Sequence, residues 1–374
     1  MKNAENMKDR FVVIMAGGRG ERFWPVSRQA MPKQLITLLG KRSFLQQAVD
    51  RVTPVVPLKN ILIITNSVQA AAVRKQLPHL PKENVVAEPC GRDTCAAVAL
   101  GAAIVGQRSL NAVMAVLPAD HVIPEEKKFQ QVLADALDLA SNSKLMVTIG
   151  IKPTEPATGY GYIRTGKPLS QKNGLKTKTT FFNAEQFVEK PNHDKAVEYL
   201  KSGKYRWNAG MFIWSYATIS EGLATYQPEL FQASQRWLKV AGTPKLKLLL
   251  AKEYPTIKKI SIDYALMEKA QNVAVADGSF EWDDLGCWPA LARHIKNDEE
   301  GNCVSANFIQ VDSSRNIVFD SRTKNRTPIA LVGLHDCIVV LSDDSTLFAH
   351  KSESQKIKDL VAKLGASAEF KNLV

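Results

Sequence analysis

Cysteine is scarce in this chain. There are five in 374 residues, Cys90, Cys95, Cys287, Cys303 and Cys337. Their number is odd and no Cys-x-x-Cys pair occurs, which argues against a disulfide framework or a cysteine zinc module and fits reduced thiols in a cytoplasm. No apolar run reaches the roughly 18 residues of a membrane span, so no membrane role is expected. The opening MKNAENMKDR is charged and lacks the apolar stretch of a signal peptide; Met7 is a second candidate start. Long-period repeats and low-complexity tracts are also missing. The formal net charge is +12, yet no basic stripe interleaved with aromatics accompanies it. Lys and Arg are scattered, with local concentrations from Lys172 to Lys178 and from Lys245 to Lys259. That speaks against a nucleic-acid partner and leaves a solvated basic surface, or a field that draws in polyanionic small substrates.

What is present is alternation. Phe11 to Met15 reads as a buried strand, and Ser43 caps a helix running to Val52. Ile61 to Ile64 is a strand, Val68 to Leu77 a helix, and Val85-Val86 a short strand. Thr94 to Gln107 is an Ala-rich helix, Ala112 to Leu117 a strand, Glu125 to Ala140 a helix, and Leu145 to Ile149 a strand. Such alternation predicts an α/β fold on a mostly parallel, Rossmann-like sheet, with chemistry on the loops after the strands. From Thr158 to Phe187 the chain reads as hairpins, with a polar tip from Gln171 to Thr180. Helical segments are expected through Met267, then a strand from Val273 to Ala276. After a polar linker at Asn297–Asn302, short β-type runs precede a helix from about Ser354 to Leu364. The predicted division is residues 1–296 and 297–374.

The first strand leads into Gly17-Gly18-Arg19-Gly20-Glu21-Arg22. Glycines there permit a tight turn and close approach of backbone N–H groups to an anion. Arg22 adds one cation and Lys33, on the loop stiffened by Pro32, another. The spacing matches neither the dinucleotide fingerprint nor the P-loop. Four further places carry possible chemistry. Glu88-Pro-Cys-Gly91-Arg92-Asp93-Thr94 lies between a short strand and a helix, where Glu88 could accept from a base N–H, or the segment could be only a capped loop. Asp120, after Leu117-Pro-Ala, sits at a strand's carboxyl end, where a Mg²⁺ ligand or a plain turn residue is equally at home. Trp282-Asp283-Asp284 reads as another strand end, with Asp283 able to cap a turn. Glu189-Lys190 is either a surface ion pair or a working acid and base.

Gly17-Gly-Arg-Gly-Glu-Arg-Phe-Trp-Pro25 with Pro32-Lys-Gln34 resembles the signature of sugar-nucleotide pyrophosphorylases, and Trp24-Pro-Val-Ser-Arg28 resembles the mannose-1-phosphate guanylyltransferase branch. The segments Glu88–Thr94, Leu117–His121, Phe187–Pro191, Gly159–Ile163, Trp207–Phe212 and Ser261–Glu268 are similar to further hallmarks, so the likeness spans Phe11 to about Leu364. Glu21, Asp93, Ala119, Ala209 and Cys287 depart from the usual residues without removing a required charge. The resemblance implies transfer of GMP from GTP to mannose 1-phosphate with release of pyrophosphate. It places Gly17, Gly18, Arg19, Gly20, Glu88, Gly91, Arg92, Asp93 and Thr94 on the nucleotide; Arg22, Lys33 and Lys190 on the reacting phosphates; Gly161, Glu189 and Asn208 on the sugar; and Asp120 and Asp284 on Mg²⁺. Asp263 takes no assigned contact. Two alternatives stay open: another nucleotide and sugar phosphate, or a non-catalytic regulatory paralogue. The resemblance also implies a short left-handed β-helix at the tail, too short for the phosphomannose isomerase domain that some relatives add. Holding none of the matched positions, the tail is expected to serve a homodimer and not the chemistry.

Overall fold

The computed structural model describes residues 8–169, 177–324 and 326–374. Met7 and the 171–176 part of the expected polar tip lie outside them. Among the described residues no helix is long and apolar enough to cross a membrane.

The first half follows the predicted alternation. Strands β1 (Arg10–Met15), β2 (Ile61–Asn66), β3 (Val85–Glu88) and β4 (Val113–Pro118) pair in parallel, interleaved with α1 (Phe44–Val52), α2 (Ala70–Gln76) and α3 (Asp93–Arg108). Ser43 caps α1 in a full capping box with Gln46, satisfying two N–H groups that helix formation leaves bare. Next come α4 (Glu126–Ser141) and β5 (Met146–Ile151), then the antiparallel pair β6 (Tyr162–Pro168) and β7 (Phe181–Val188), which fulfils the hairpin expectation. After α5 (His193–Ser202) the expectation of helices alone through Met267 is wrong. Tyr205–Ser215 is an eleven-residue strand, β8, preceding α6 (Tyr216–Tyr226), α7 (Pro228–Val240), α8 (Lys245–Glu253) and β9 (Val273–Gly278). It runs antiparallel between β4 and β5, giving the order β3-β2-β1-β4-β8-β5-β9-β7-β6. Tyr205, Trp207, Ala209 and Met211 are buried on alternate positions, the period of a strand.

One face of this sheet packs on α1 and α4, with Leu45, Val49, Phe129 and Leu133 at the centre of that core. The other packs on α3 and α7, around Val98, Ile104 and Trp237. Helix α3 is buried along most of its length, and a Cβ at Gly106 would come within 2.3 Å of the Tyr216 ring.

Trp282–Asp284 does not end a strand, contrary to expectation. It is an irregular segment held by one bridge, Asp283 to Val122, and Leu285 takes φ 45°, which extended pairing does not allow. After the short α9 (Trp288–Leu291), the tail strands β10 (Cys303–Ser305), β12 (Ile317–Asp320) and β14 (Cys337–Leu341) stack in parallel rungs such as Cys303–Ile317–Ile338. β11 (Phe308–Val311) pairs with β13 (Ile329–Val332) in a second small sheet, a β-helix-like arrangement. β15 (Thr346–His350), which sequence reading misses, closes the first stack antiparallel to β14, and α10 (Ile357–Ala366) covers it.

The tail is not set apart from the glycine loop. Phe23, Trp24 and Phe44 share one buried cluster with Trp288, Phe319, Ile338, Val340, Ile357 and Val361. Trp288 packs 5.2 Å from Phe23 and 5.3 Å from Phe319, ring centre to ring centre, and its Nε1 donates to the Trp24 carbonyl at 3.2 Å. Arg28 pairs with Asp344 at 2.7 Å. Each fully buried tail side chain contributes about 1.5–3 kcal/mol. A chain ending at residue 296 should therefore lose more than about 10 °C of thermal midpoint and lose nucleotide binding with it. Calorimetry and a nucleotide titration check this; a shortened chain that melts and binds like the parent would show that the tail is dispensable to the loop.

Candidate active site

The glycine loop is held from behind. Gln34 Nε2 donates to the carbonyls of Ala16 (2.8 Å) and Gly18 (3.1 Å), Gln69 Nε2 donates to Gly18, and the Thr65 hydroxyl donates to Ala16. The N–H groups of Gly17, Gly18 and Arg19 have no acceptor among the described residues, and all three residues are exposed. Backbone N–H groups left this way form an anion-binding concavity. Gly20 takes φ 62°, and a Cβ there would lie 2.4 Å from that of Lys33; glycine is the one residue that fits both constraints. Arg19 is mostly exposed, 3.5 Å from Glu21.

Lys33 is pulled under the loop. Its side chain is 5% exposed, and Nζ lies 2.9 Å from Asp120 Oδ2 and 2.5 Å from the carbonyl oxygen of Asp284. One ammonium thus joins the end of β4, the 283–286 segment and the glycine loop. Burial acts to raise both acids. For Asp120 the pull of Lys33, with smaller help from His121, overrides burial and holds the carboxyl below its ordinary range. Asp284 stays above its own, because burial outweighs Lys33 and its acidic neighbours Asp283 and Asp120 oppose ionisation. The structure thus brings both acids to Lys33, Asp120 through its carboxylate and Asp284 through its backbone carbonyl. Asp283 does not join them: it accepts from Leu285 N, Arg293 and His294, each at 2.8 Å, and pins the turn. Arg22 approaches the Gly286 carbonyl at 3.5 Å, and its buried Nε has no partner among the described residues.

His121 is buried, and desolvation pushes its imidazole down to about 4. The neutral ring accepts from Trp282 Nε1 at Nδ1, 3.0 Å away, and so ties Asp120's neighbour to Asp284's.

A cavity of about 370 Å³ opens on the other side of the glycine loop, lined by Gly17, Gly18, Glu88, Gly91, Arg92 and Asp263 among others. Glu88, at the end of β3, is 6% exposed. Tyr254 donates its hydroxyl to Oε1, while Oε2 lies 3.3 Å from where a Gly17 Cβ would be. Burial, against the opposing Tyr254 hydrogen bond, pushes the carboxyl up to about 7. The polar groups of Arg92 and Thr94 are used for scaffolding. Arg92 donates to the carbonyls of Tyr254 and Pro255, and Thr94 Oγ1 accepts from Ile262 N. Asp93, at φ 63°, accepts from Thr94 N. Arg92 and Thr94 build the cavity's wall by clamping the start of α3 to Tyr254, Pro255 and Ile262.

The expected sugar residues form a third group. Asn208 N donates to the Gly161 carbonyl at 2.8 Å, and a Cβ at Gly161 would meet Glu189 Oε2 at 2.4 Å. Asn208 Nδ2 donates to Asp263 Oδ1 at 2.8 Å, so Asp263 sits between this group and the cavity. Burial raises Asp263, and raises Glu189 together with the nearby Asp263 charge. Lys190, exposed and at φ 47°, lies 3.4 Å from Glu189. Tyr160, not singled out from the sequence, connects this group to the acids by donating to Asp284 Oδ1 at 2.9 Å.

A hard-oxygen pair such as Asp120 and Asp284 suits a divalent cation of the Mg²⁺ class. Among the described residues no third acid or His joins them, so the remaining ligands would come from substrate phosphates and water. The glycine loop at the end of β1, the cavity at the ends of β1 and β3 and the acids beyond β4 define a nucleotide-handling α/β enzyme.

The chain belongs to the nucleotidyl transferase family, whose model matches residues 11–301; a model for the mannose-phosphate isomerase/GMP-like β-helix domain matches residues 306–364. It is a nucleotidyltransferase, and members of this family use a divalent metal. The xanthan biosynthesis protein XanB of Xanthomonas campestris pv. campestris is 36% identical over 96% of this chain and 74% of its own length. The mannose-1-phosphate guanylyltransferase of Escherichia coli K12 is 34% identical over 97% of this chain and 75% of its own. A crystal structure from Thermus thermophilus, described as mannose-1-phosphate geranyltransferase, superposes with a TM-score of 0.82 at 34% identity, covering 95% of this chain and 99% of the other.

Glu88 supplies a test that needs no substrate. Its carboxyl rises from an ordinary 4.5 to about 7 on folding, so the folded state binds the proton more tightly. The stability this contributes is complete below pH 4.5 and is lost as pH climbs through 7; the full span is about 3 kcal/mol. Glu88→Gln removes the titration. Its thermal midpoint relative to the parent should climb by several degrees between pH 5 and pH 8; a constant difference across that range would show that Glu88 is not held protonated.

Proposed function

We propose that this protein transfers GMP from GTP to mannose 1-phosphate, giving GDP-mannose and pyrophosphate, with Mg²⁺ as its cation. The observation that carries the reading is the convergence of Asp120 and Asp284 on Lys33, between the bare N–H groups of the glycine loop and the Asn208–Glu189 group. The guanylyltransferase relatives match over nearly the whole chain. A phosphate oxygen of mannose 1-phosphate attacks the α-phosphorus of GTP. The new P–O bond forms as the α–β bridging P–O bond breaks, and pyrophosphate leaves with the electron pair. The nucleophile is already anionic, so no activated Ser, Cys or His is required; positioning and charge neutralisation suffice. Arg22, with its unpartnered Nε, and Lys33 neutralise the α-phosphate and the departing pyrophosphate. Lys190 holds the attacking phosphate. Glu189 and Asn208 orient the sugar, and Glu88 Oε2 accepts from the guanine edge, with Gly17, Gly18 and Gly91 leaving room for the nucleotide. Bound to Asp120 and Asp284, Mg²⁺ would supply charge neutralisation on the phosphates.

A panel of nucleoside triphosphates against sugar 1-phosphates, scored by pyrophosphate release, is the test. GTP with mannose 1-phosphate should lead; faster turnover of UTP or dTTP with glucose 1-phosphate would overturn the substrate assignment and leave the reaction class standing. Asp120→Asn and Asp284→Asn should each lower turnover by orders of magnitude in a folded protein. Asp283→Asn should act mainly on thermal stability, because its partners are Arg293 and His294. The opposite ranking of Asp283 and Asp284 would mean that the wrong acid was assigned to the cation.

We also propose a cytoplasmic homodimer contacting through the tail. The two-stranded sheet of β11 and β13 presents Ile309, Val311 and Val332 outward at 64, 57 and 72% exposure, with Val311 registered on Val332. An exposed apolar face with open strand edges favours pairing with a second copy. Sedimentation at micromolar concentration should give a dimer, and Val332→Asp should shift it to monomer with little change in melting. A monomeric parent would remove the proposal.

A further inference from the structure

Tyr160 lies in the turn before β6, half-buried. Its ring is walled by Trp207, 5.0 Å between centres, and Trp282, 5.3 Å, both edge-on. Such pairs fix a ring's place and tilt beyond what burial alone does. Trp282 is itself held by His121, and Trp207 lies in the middle of the sheet on β8. The phenol is thus carried by rigid elements, and its hydroxyl ends 2.9 Å from Asp284 Oδ1. The backbone around it is equally fixed, since the next residue, Gly161, accepts from Asn208 N and lies against Glu189.

Asp284 sits in an irregular segment, where nothing regular sets its rotamer. Its backbone carbonyl is taken by Lys33, which leaves its carboxylate to be aimed by other means. A neutral phenol is a donor to a carboxylate oxygen. With Oδ1 occupied, the oxygen remaining for a cation is Oδ2, which lies over Gly286, 3.3 Å from where a Cβ would be. We propose that Tyr160 is a positioning residue for Asp284: it holds Oδ1 so that Oδ2 is presented to the divalent cation beside Asp120. Hydrogen bonds that orient ligand carboxylates are commonly worth 10–100-fold in metal affinity. The proposal rests on the reading of Asp120 and Asp284 as the cation's ligands.

The test uses the full chain and Mn²⁺ alone, with free Mn²⁺ followed by electron paramagnetic resonance. Tyr160→Phe keeps the ring and its walls and removes only the hydroxyl. It should weaken Mn²⁺ binding by about tenfold or more and lower kcat, while the KM for mannose 1-phosphate moves less than threefold. Trp282→Phe, which retains the phenol but loosens its wall, should show a smaller loss of Mn²⁺ affinity. Asp284→Asn is the control that separates the two readings. If it abolishes Mn²⁺ binding while Tyr160→Phe binds within twofold of the parent, Asp284 is a ligand and the positioning role is overturned. If Asp284→Asn binds Mn²⁺ as the parent does, the ligand assignment fails and the positioning role falls with it.

Discussion

The site depends on one buried ammonium. Lys33 reaches Asp120 and the Asp284 carbonyl from beneath the glycine loop, with its side chain 5% exposed. Burying a charge costs several kcal/mol unless it is paired and hydrogen-bonded, and the pairing here draws on two segments remote in sequence, at Asp120 and at Asp284. Each must be in place for the lysine to be tolerated. The left-handed Gly20, against which Lys33 packs without room for a Cβ, fixes the lysine's own backbone. The glycine loop, the end of β4 and the turn at Asp283–Gly286 are thus interlocked around a charge that none of them could hold alone.

The same lock explains why the tail matters to a site it does not enter. Phe23 and Trp24 follow the loop directly, and both are buried against Trp288 and the tail's inner strands. The 283–286 turn continues into Trp288 through a short segment. The two chain stretches that meet at Lys33 therefore meet again, a few residues on, in one hydrophobic cluster capped by Phe319, Ile338 and Val340. Apolar burial supplies the stability, and the geometry of the charged site follows from it.

Much of this was legible in the sequence, and the failures have physical causes. Buried strands bounded by capped helices announced β1 to β5, and the glycines and Asp120 stood at strand ends where parallel sheets gather ligands. Strand β8 was missed because it lies among helices and because its second half, Phe212 to Trp214, is continuously apolar, a pattern shared by buried strands and helix segments. The alternation from Tyr205 to Met211 was the available signal. The strand end expected at Trp282–Asp284 is absent, since the left-handed Leu285 that breaks extended pairing leaves no mark in composition. Tyr254 and Pro255 were invisible, being tertiary partners whose roles depend on where α8 delivers the chain.

The motif from Glu88 to Thr94 shows how far a motif can be read residue by residue. Glu88 presents its Oε2 beside the cavity, and burial raises its carboxyl to about 7. Arg92 and Thr94 are engaged with backbone groups of the opposite wall, and Asp93 with the first turn of α3. A string of polar residues beside the cavity thus divides into Glu88, buried with one oxygen taken by Tyr254, and three residues bonded to backbone groups. The division follows from hydrogen-bond accounting: a buried donor or acceptor left without a partner costs about 1–3 kcal/mol. A wall made from a helix start and an irregular segment has many such groups to satisfy. Once the wall is satisfied, one Glu88 oxygen is left without a hydrogen-bond partner among the described residues, the other being closed by Tyr254.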